Sequence, residues 1–284
     1  MNIEFPTLSI AGCGAMGRGI AQIAAQAGSC VLLFDTQPGA AEQATVALVA
    51  QWGRLVGKDK ITQAQADLFA TRLKVVNSIK QLAQGDLVIE AIVEDLDAKV
   101  ALLRSVEVHA AATTLLCTNT SSLSITALAA KLDDPTRLAG FHFFNPVPLM
   151  KVVEVIGAIQ TSPEHLKRLS NYATQLGHAP VVARDSPGFI VNHAGRGYGT
   201  EALRIASEGA ADYATIDRIL RDQIGFKLGP FELMDLTGLD ISHNVMESIY
   251  RQYYDEPRFR PSPITAQRLA AGMLGRKTSV GFYT

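Results

Sequence analysis

Cysteine is scarce in this chain. Cys13, Cys30 and Cys117 are the only three among 284 residues, and none belongs to a CxxC pair. All sit in apolar or glycine-loop contexts. They read as small hydrophobes in a reducing, cytoplasmic setting, so no disulfide framework is expected. The six histidines are scattered without zinc-type spacing, and the pattern therefore offers no metal site. No apolar run reaches the ~20 residues that a membrane-spanning helix needs. Charge is nearly balanced, at −1 overall, and no block of one sign occurs. Neither nucleic acid nor a membrane surface is an expected partner. The first residues, "MNIEFPTLSIAGCGAMG", lack the basic n-region of a signal peptide. Internal repeats and low-complexity segments are missing as well.

What the chain does have is alternation. "LSIAG" at 8–12 is an apolar run ending in glycine, and "MGRGIAQIAAQAG" follows with spacing near 3.6. "CVLLFD" at 30–35 is a second run, then comes an alanine-rich helix with Pro38 near its start. "QADLFATRL" continues helical. "KVV", "DLVIEAIV" and "TTLLCTNTSS" read as further strands, with amphipathic "DLDAKVALLRSVEVHA" between the last two. This β-α-β-α rhythm predicts a Rossmann-type, mostly parallel sheet covered on both faces. Near Arg137 it changes. "RLAGFHF" and "MKVVEVI" flank "FNPVPL" and predict an antiparallel pair added to the sheet. A helix capped at Ser162 and one more strand, "APVVARD", complete the domain. After "DSPGF" strand signals stop and helical ones dominate. The α/β domain is assigned to 1–184 and an all-helical C-terminal domain to 185–284. Helices with so many apolar faces predict a homodimer through the second domain.

"GCGAMG" places Gly12, Gly14 and Gly17 in a GxGxxG pattern, with Cys13, Ala15 and Met16 between them. It follows a strand, opens a helix and precedes Asp35, which ends the next strand. Gly12 permits the tight turn, Gly14 the approach of a pyrophosphate, and Gly17 close helix–strand packing. A carboxylate at Asp35 accepts ribose hydroxyls and repels a 2′-phosphate. The expected cofactor is NAD rather than NADP.

Hydride transfer from an alcohol needs a base, and His suits that task near neutral pH. His142 lies at the end of a strand, where ligands bind in open α/β sheets. If the two runs around Val147 and Pro148 are antiparallel, residues whose numbers total about 296 face each other, and directly opposed side chains share one face. His142 and Glu154 meet that condition. Such a carboxylate would orient the imidazole and stabilise its protonated form. The alternative is a core His satisfied by a carbonyl, with Glu154 at a solvated edge.

The segments "GCGAMGRGIAQ", "EAIVEDLDAK", "CTNTSSLSI", "GFHFFNPVPLMKVVEV", "DSPGFIVNH", "GPFELMDLTGLD" and "GRKTSVGFY" together resemble the L-3-hydroxyacyl-CoA dehydrogenases. The resemblance runs through essentially the whole chain, in order. It implies oxidation of an L-3-hydroxyacyl-CoA thioester by NAD, within fatty acid β-oxidation chemistry. It makes His142 the general base and Glu154 its partner. It gives Ser121 a contact with substrate oxygen and cofactor, and brings Asn192 from the second domain. Asp35, Glu94, Lys99, Asn145 and Lys277 match positions lining the cofactor. Lys58, with Lys60 nearby, matches a lysine reaching the CoA phosphates.

Each position also has a plainer reading. Ser121 sits where a helix N-cap is wanted, with Ser122 a neighbouring register. Asn192 can be a surface amide, although Phe189, Ile190 and Val191 suggest an inward face beside it. Glu94 and Lys99 can be a surface ion pair. One departure from the family stands out. Gly195, Gly197 and Gly199 interrupt a helix that usually carries bulkier residues, at ~1 kcal/mol each against Ala. The space suits a larger or dicarboxylic acyl tail, whose carboxylate Arg196 would meet. Other readings are a dehydrogenase of a free hydroxy or sugar acid, as in the lambda-crystallin and L-gulonate branch, and a non-catalytic NAD-binding protein. A chain of this length is not expected to hold a second activity of a multifunctional enzyme.

Overall fold

The computed structural model describes residues 3–283. The chain divides into two compact units between Asp185 and Ser186. In the first unit the elements run β1 (Thr7–Ala11), α1 (Ala15–Ala27), β2 (Cys30–Phe34), α2 (Ala40–Val56), α3 (Gln63–Thr71), β3 (Leu73–Val75), α4 (Ile79–Leu82), β4 (Leu87–Glu90), α5 (Leu96–Glu107), β5 (Leu115–Thr118), α6 (Ile125–Ala129), β6 (Leu138–Phe143), β7 (Val152–Gly157), α7 (Pro163–Gln175) and β8 (Ala179–Arg184). The strands form one sheet in the order 3-2-1-4-5-6-7-8. The first six are parallel, β7 is antiparallel to β6, and β8 is parallel to β7. Strand order reverses between β1 and β4. In a doubly wound sheet that crevice, at the carboxyl ends of the strands, is where a dinucleotide lies.

The sheet follows from its side chains. β4 and β5 are buried at every residue, as strands covered on both faces must be. α1 presses Ile20, Ile23 and Ala24 onto the sheet. Trp52 of α2 is fully buried, and its ring packs on Phe69 at 5.5 Å. Phe5 meets Tyr172 of α7 edge-on at 5.1 Å. Helix starts are capped by short polar side chains: Thr62 with Gln65 for α3, Asp95 for α5 and Ser124 for α6.

Several local expectations need correction. Pro38 lies outside α2, which starts at Ala40 behind a left-handed Gly39. Ser162 occupies the N-cap of α7, but its hydroxyl makes no capping bond; Pro163 at the first turn fixes the entry instead. The strand read from "DLVIEAIV" stops at Glu90, because the chain then turns past Gly12.

The second unit runs α8 (Val191–Ser207), α9 (Tyr213–Asp222), α10 (Pro230–Thr237), α11 (Leu239–Gln252) and α12 (Pro263–Ala270). Ala202, Leu203, Ile216, Phe231, Met234, Leu239 and Met246 form its core. Tyr213, Phe231 and Phe282 pack mutually, with ring centroids 4.7–5.0 Å apart. Two buried carboxylates tie the end of the chain to this core. Asp217 accepts the main-chain N–H of Phe231 and Glu232 and the Tyr283 hydroxyl. Asp235 accepts the N–H of Phe282 and of Tyr283. Helix α8 passes through Gly195, Gly197 and Gly199 without a break. Burial of Ala202 and Leu203, and a 2.6 Å bond from the Tyr198 hydroxyl to the Leu228 carbonyl, outweigh the weak propensity of the glycines. Of the inward face expected at the start of α8, Phe189 alone is buried; Ile190 and Val191 are exposed.

Candidate active site

The glycine loop is shaped by what side chains would strike. Gly12 has φ +96°, and a Cβ there would lie 2.5 Å from the Ala91 carbonyl oxygen. A Cβ on Gly17 would lie 1.8 Å from the Gly12 carbonyl oxygen. Both are bound to be glycine by backbone contacts. Gly14, at the N-cap of α1, differs: a Cβ there meets nothing within 4 Å. The structure therefore keeps open space against the backbone at the start of a helix, where main-chain N–H groups favour a phosphate. Asp35 stands across this loop. Its oxygens accept the N–H of Cys13 at 2.7 Å and of Gln37 at 2.9 Å, which fixes the carboxylate beside the loop. Burial, with the charges of Asp35 and Glu42, pushes the Cys13 thiol up to about 12. Cys13 is thus a packing residue rather than a nucleophile. Ala15 is exposed and Met16 half-buried. These residues fit NAD: a close-approach glycine, a helix N-terminus and a fixed carboxylate.

Further along the sheet the hairpin has the register read from the sequence, and Val147 of its corner packs against Gly19 of α1. β6 and β7 pair His142 directly with Glu154. His142 Nδ1 lies 2.7 Å from Glu154 Oε2. His142 is 5% exposed and Glu154 is 0% exposed. A carboxylate can only accept, so with Glu154 ionised the Nδ1 N–H is the donor in this contact. The Phe144 ring lies 4.5 Å from the imidazole by centroids. Asn119 Oδ1 accepts the Phe143 N–H at 2.9 Å and joins the turn after β5 to the end of β6. His178 contacts the Val147 carbonyl through Nε2 at 2.9 Å, which braces the corner between the strands.

Ser121 lies in that turn. Glu94 Oε1 accepts from the Thr120 hydroxyl at 2.6 Å, the Ser121 N–H at 2.9 Å and the Ser122 hydroxyl at 3.0 Å. Ser121 Oγ is 3.3 Å from the same oxygen. The N-cap of α6 is Ser124, three residues on, so the capping alternative for Ser121 falls. Burial raises the Glu94 pKa, but Lys99 and the hydroxyl and amide donors outweigh it, and the net shift is downward. Lys99 is buried. Its ammonium lies 2.6 Å from Glu90 Oε1 and 3.3 Å from Glu94 Oε2. It is no surface ion pair. Its ion-pair partners are these two carboxylates.

The remaining positions are divided between the two units. Asn145 is exposed in the corner before Pro146, and Lys58 is exposed just beyond α2. In the second unit Asn192 is half-buried in the first turn of α8. Arg196, one turn on, donates to the carbonyls of Asn192 at 3.3 Å and Ser242 at 3.5 Å. Burial lowers its pKa. Lys277 pairs with Asp240. His193 contacts the Tyr253 hydroxyl at 3.1 Å. Among the described residues no cluster of His, Cys, Asp or Glu could hold a metal ion.

Comparison with known proteins adds the last observation. The family profile described as "3-hydroxyacyl-CoA dehydrogenase, NAD binding domain" matches residues 7–186, and that described as "3-hydroxyacyl-CoA dehydrogenase, C-terminal domain" matches 188–284. The chain belongs to the 3-hydroxyacyl-CoA dehydrogenase family. It is 41% identical over 283 residues to the 3-hydroxyadipyl-CoA dehydrogenase of Escherichia coli (strain K12), covering 100% of this chain and 60% of that protein. The chain thus spans well under two thirds of that relative. It is 38% identical to the mitochondrial hydroxyacyl-coenzyme A dehydrogenase of Sus scrofa, covering 97% of this chain and 90% of that one. The crystal structure of an (S)-3-hydroxybutyryl-CoA dehydrogenase from Ralstonia eutropha superposes with TM-score 0.95 at 36% identity, covering 99% of both chains. The family's enzymes are oxidoreductases that use NAD, and this chain carries their NAD-binding domain.

Within this dehydrogenase fold the sequence reading missed Glu90, Asn119 and Thr120. Glu90 ends and Asn119 follows an apolar strand, but their partners lie far off in sequence and leave no local sign. Thr120 was hidden in a run of capping-type residues.

Proposed function

We propose that the chain oxidises an L-3-hydroxyacyl-CoA reversibly to the 3-ketoacyl-CoA, with His142 as general base. The observation that carries this reading is the buried 2.7 Å contact between His142 Nδ1 and Glu154 Oε2. A carboxylate fixed on Nδ1 orients the ring and presents Nε2 to the substrate hydroxyl. As the hydroxyl proton arrives, the imidazolium is stabilised by Glu154 in a setting that water screens little. NAD, when bound, supplies the acceptor for the C3 hydride. Ser121 and Asn192 are assigned to the C3 oxygen, a hydrogen-bonding task of the oxyanion-hole type. Gly12 to Gly17, Asp35, Glu94, Asn145 and Lys277 are assigned to the cofactor's surroundings, and Lys58 to the CoA phosphates. Since Lys99 is enclosed by Glu90 and Glu94, its contribution is indirect.

The reading extends to the acyl group. Arg196 holds a guanidinium among main-chain carbonyls, next to the open faces of Gly195 and Gly197, where a Cβ meets nothing within 4 Å. Those features favour a dicarboxylic acyl tail, and the name of the Escherichia coli relative agrees in kind. A charged hydrogen bond contributes about 1.5–3 kcal/mol, or roughly 10- to 100-fold in kcat/KM. An NADH-coupled screen of 3-hydroxyadipyl-CoA, 3-hydroxybutyryl-CoA and free hydroxy acids tests both levels. Turnover of free acids without CoA, or of none of the compounds, refutes the main reading. An adipyl preference that is absent, or unchanged by Arg196→Ala, refutes the acyl assignment alone. The same protein is assigned to the cytoplasm and to a homodimer through the second unit. Exposed Ile219, Ile224, Phe226, Leu233 and Leu236 support the dimer; a monomer mass by light scattering would rule it out.

A further inference from the structure

Glu90 is a buried carboxylate that the chemistry above does not use. It ends β4 opposite Ala11, at the carboxyl edge of the sheet beside the glycine loop. Its exposure is 0%. A carboxylate in such a place is tolerated only when paired and hydrogen-bonded. Glu90 meets both demands. Oε1 accepts from Lys99 Nζ at 2.6 Å and from the Ile92 N–H at 2.7 Å. Oε2 accepts from the Thr118 hydroxyl at 2.6 Å.

The pair does not end there. Lys99 also reaches Glu94 Oε2, at the longer distance of 3.3 Å. The other oxygen of Glu94 gathers the donors of Thr120, Ser121 and Ser122. The two oxygens of Glu94 therefore divide their work. One faces the ammonium, and the other holds the turn that carries Ser121. Glu90 takes the shorter contact with Lys99 and Glu94 the longer. Thr118 and Thr120 flank Asn119, so the far ends of this line are fastened to one short stretch at the end of β5.

We propose that the buried Glu90–Lys99 pair is a positioning device for Ser121, acting by aiming the Glu94 carboxylate at the Ser121 turn. The device rests on the reading that Ser121 meets the C3 oxygen. Neither Glu90 nor Lys99 touches substrate in this scheme. A role confined to filling space differs in one respect: it survives replacement of both charges by side chains of similar volume.

The test is the double variant Glu90→Gln/Lys99→Met, which removes the two charges of the buried pair together and leaves Glu94 to its hydroxyl and amide donors. Such replacements are often neutral for stability. Hydrogen exchange by mass spectrometry reads the main-chain amides of Ser121 and Ser122, and steady-state kinetics with 3-hydroxybutyryl-CoA is measured alongside. Loss of about one hydrogen bond's worth of restraint predicts about tenfold faster exchange at those two amides, with peptides outside the immediate surroundings of Glu90, Lys99 and Thr118 unchanged. It also predicts a fall of about tenfold in kcat with KM within about twofold. Unchanged exchange at Ser121 and Ser122 in the folded double variant overturns the proposal. Faster exchange with unchanged kcat supports the positioning device and removes the role given to Ser121, so the two failures are distinct. If the double variant does not fold, Glu90→Gln alone is read by the same exchange experiment and with the same criteria.

Discussion

Replacing Glu154 by Gln is the sharpest test of the catalytic pair. The substitution keeps the shape of the side chain and removes its charge. His142 and Glu154 are both buried, so little solvent screening needs to be subtracted. With charge centres about 4 Å apart and an effective dielectric near 20, the carboxylate stabilises a full imidazolium by about 4 kcal/mol. At 1.4 kcal/mol per tenfold that sets an upper limit of about 1,000-fold on kcat. Only part of the charge has developed in the transition state, so a loss of about 100- to 1,000-fold is expected. The amide can also turn its NH2 toward Nδ1 and select the wrong tautomer, which acts in the same direction. Initial rates of NADH formation at saturating 3-hydroxybutyryl-CoA measure the loss. NADH affinity by fluorescence should stay within about twofold, because Glu154 lies on the far strand of the hairpin, away from the glycine loop. A folded Glu154→Gln enzyme with less than about fivefold loss would refute the electrostatic argument.

Two further outcomes follow from the geometry. Gly17→Ala puts a Cβ 1.8 Å from the Gly12 carbonyl oxygen, and backbone cannot step aside cheaply; a loss of about 3 kcal/mol or more is expected in thermal or urea unfolding, and wild-type stability would refute the packing reason for this glycine. Glu94 has a folded pKa below its ordinary value of 4.5. Its contribution to stability is therefore present above that value and lost as pH falls through the lower, folded one. The difference in unfolding free energy between wild type and Glu94→Gln should be present at neutral pH and shrink below about pH 4.5; a difference that holds constant or grows toward acid would contradict the assigned shift.

Much of this was legible because two patterns have fixed periods. Antiparallel pairing obliges residue numbers across a hairpin to share one total, so a corner at Val147–Pro148 was enough to set His142 opposite Glu154. The glycine motif was legible because each of its glycines answers a steric demand, and the structure separates the two that backbone forbids from the one that leaves room. Glu90 was not legible. In "DLVIEAIV" an acid at the end of an apolar run has no local partner, and its contacts with Lys99 and Thr118 are made across nine and twenty-eight residues of sequence. Nor could "NTSSLSIT" disclose which hydroxyl caps the helix, since several neighbours have the right chemistry. Ser124 is chosen by the entry of the chain into α6. The helix through three glycines was read as weak because propensity is local, whereas Leu203 and Tyr198 hold it from outside.

The last residue of the first unit gives the connection to the second a mechanical character. Asp185 accepts the Ser124 hydroxyl at 2.8 Å, the Ile125 N–H at 3.0 Å and the Thr126 N–H at 2.7 Å, sixty-one residues back at its first partner. A cut at 184/185 would sever this clasp, whereas the division after Asp185 keeps it whole. The exit of the chain is thus riveted to the start of α6 rather than trailing from β8. Replacing Asp185 would therefore strip three acceptor contacts from the opening turn of α6 at once, a few residues from the Ser121 turn on which the proposed chemistry depends.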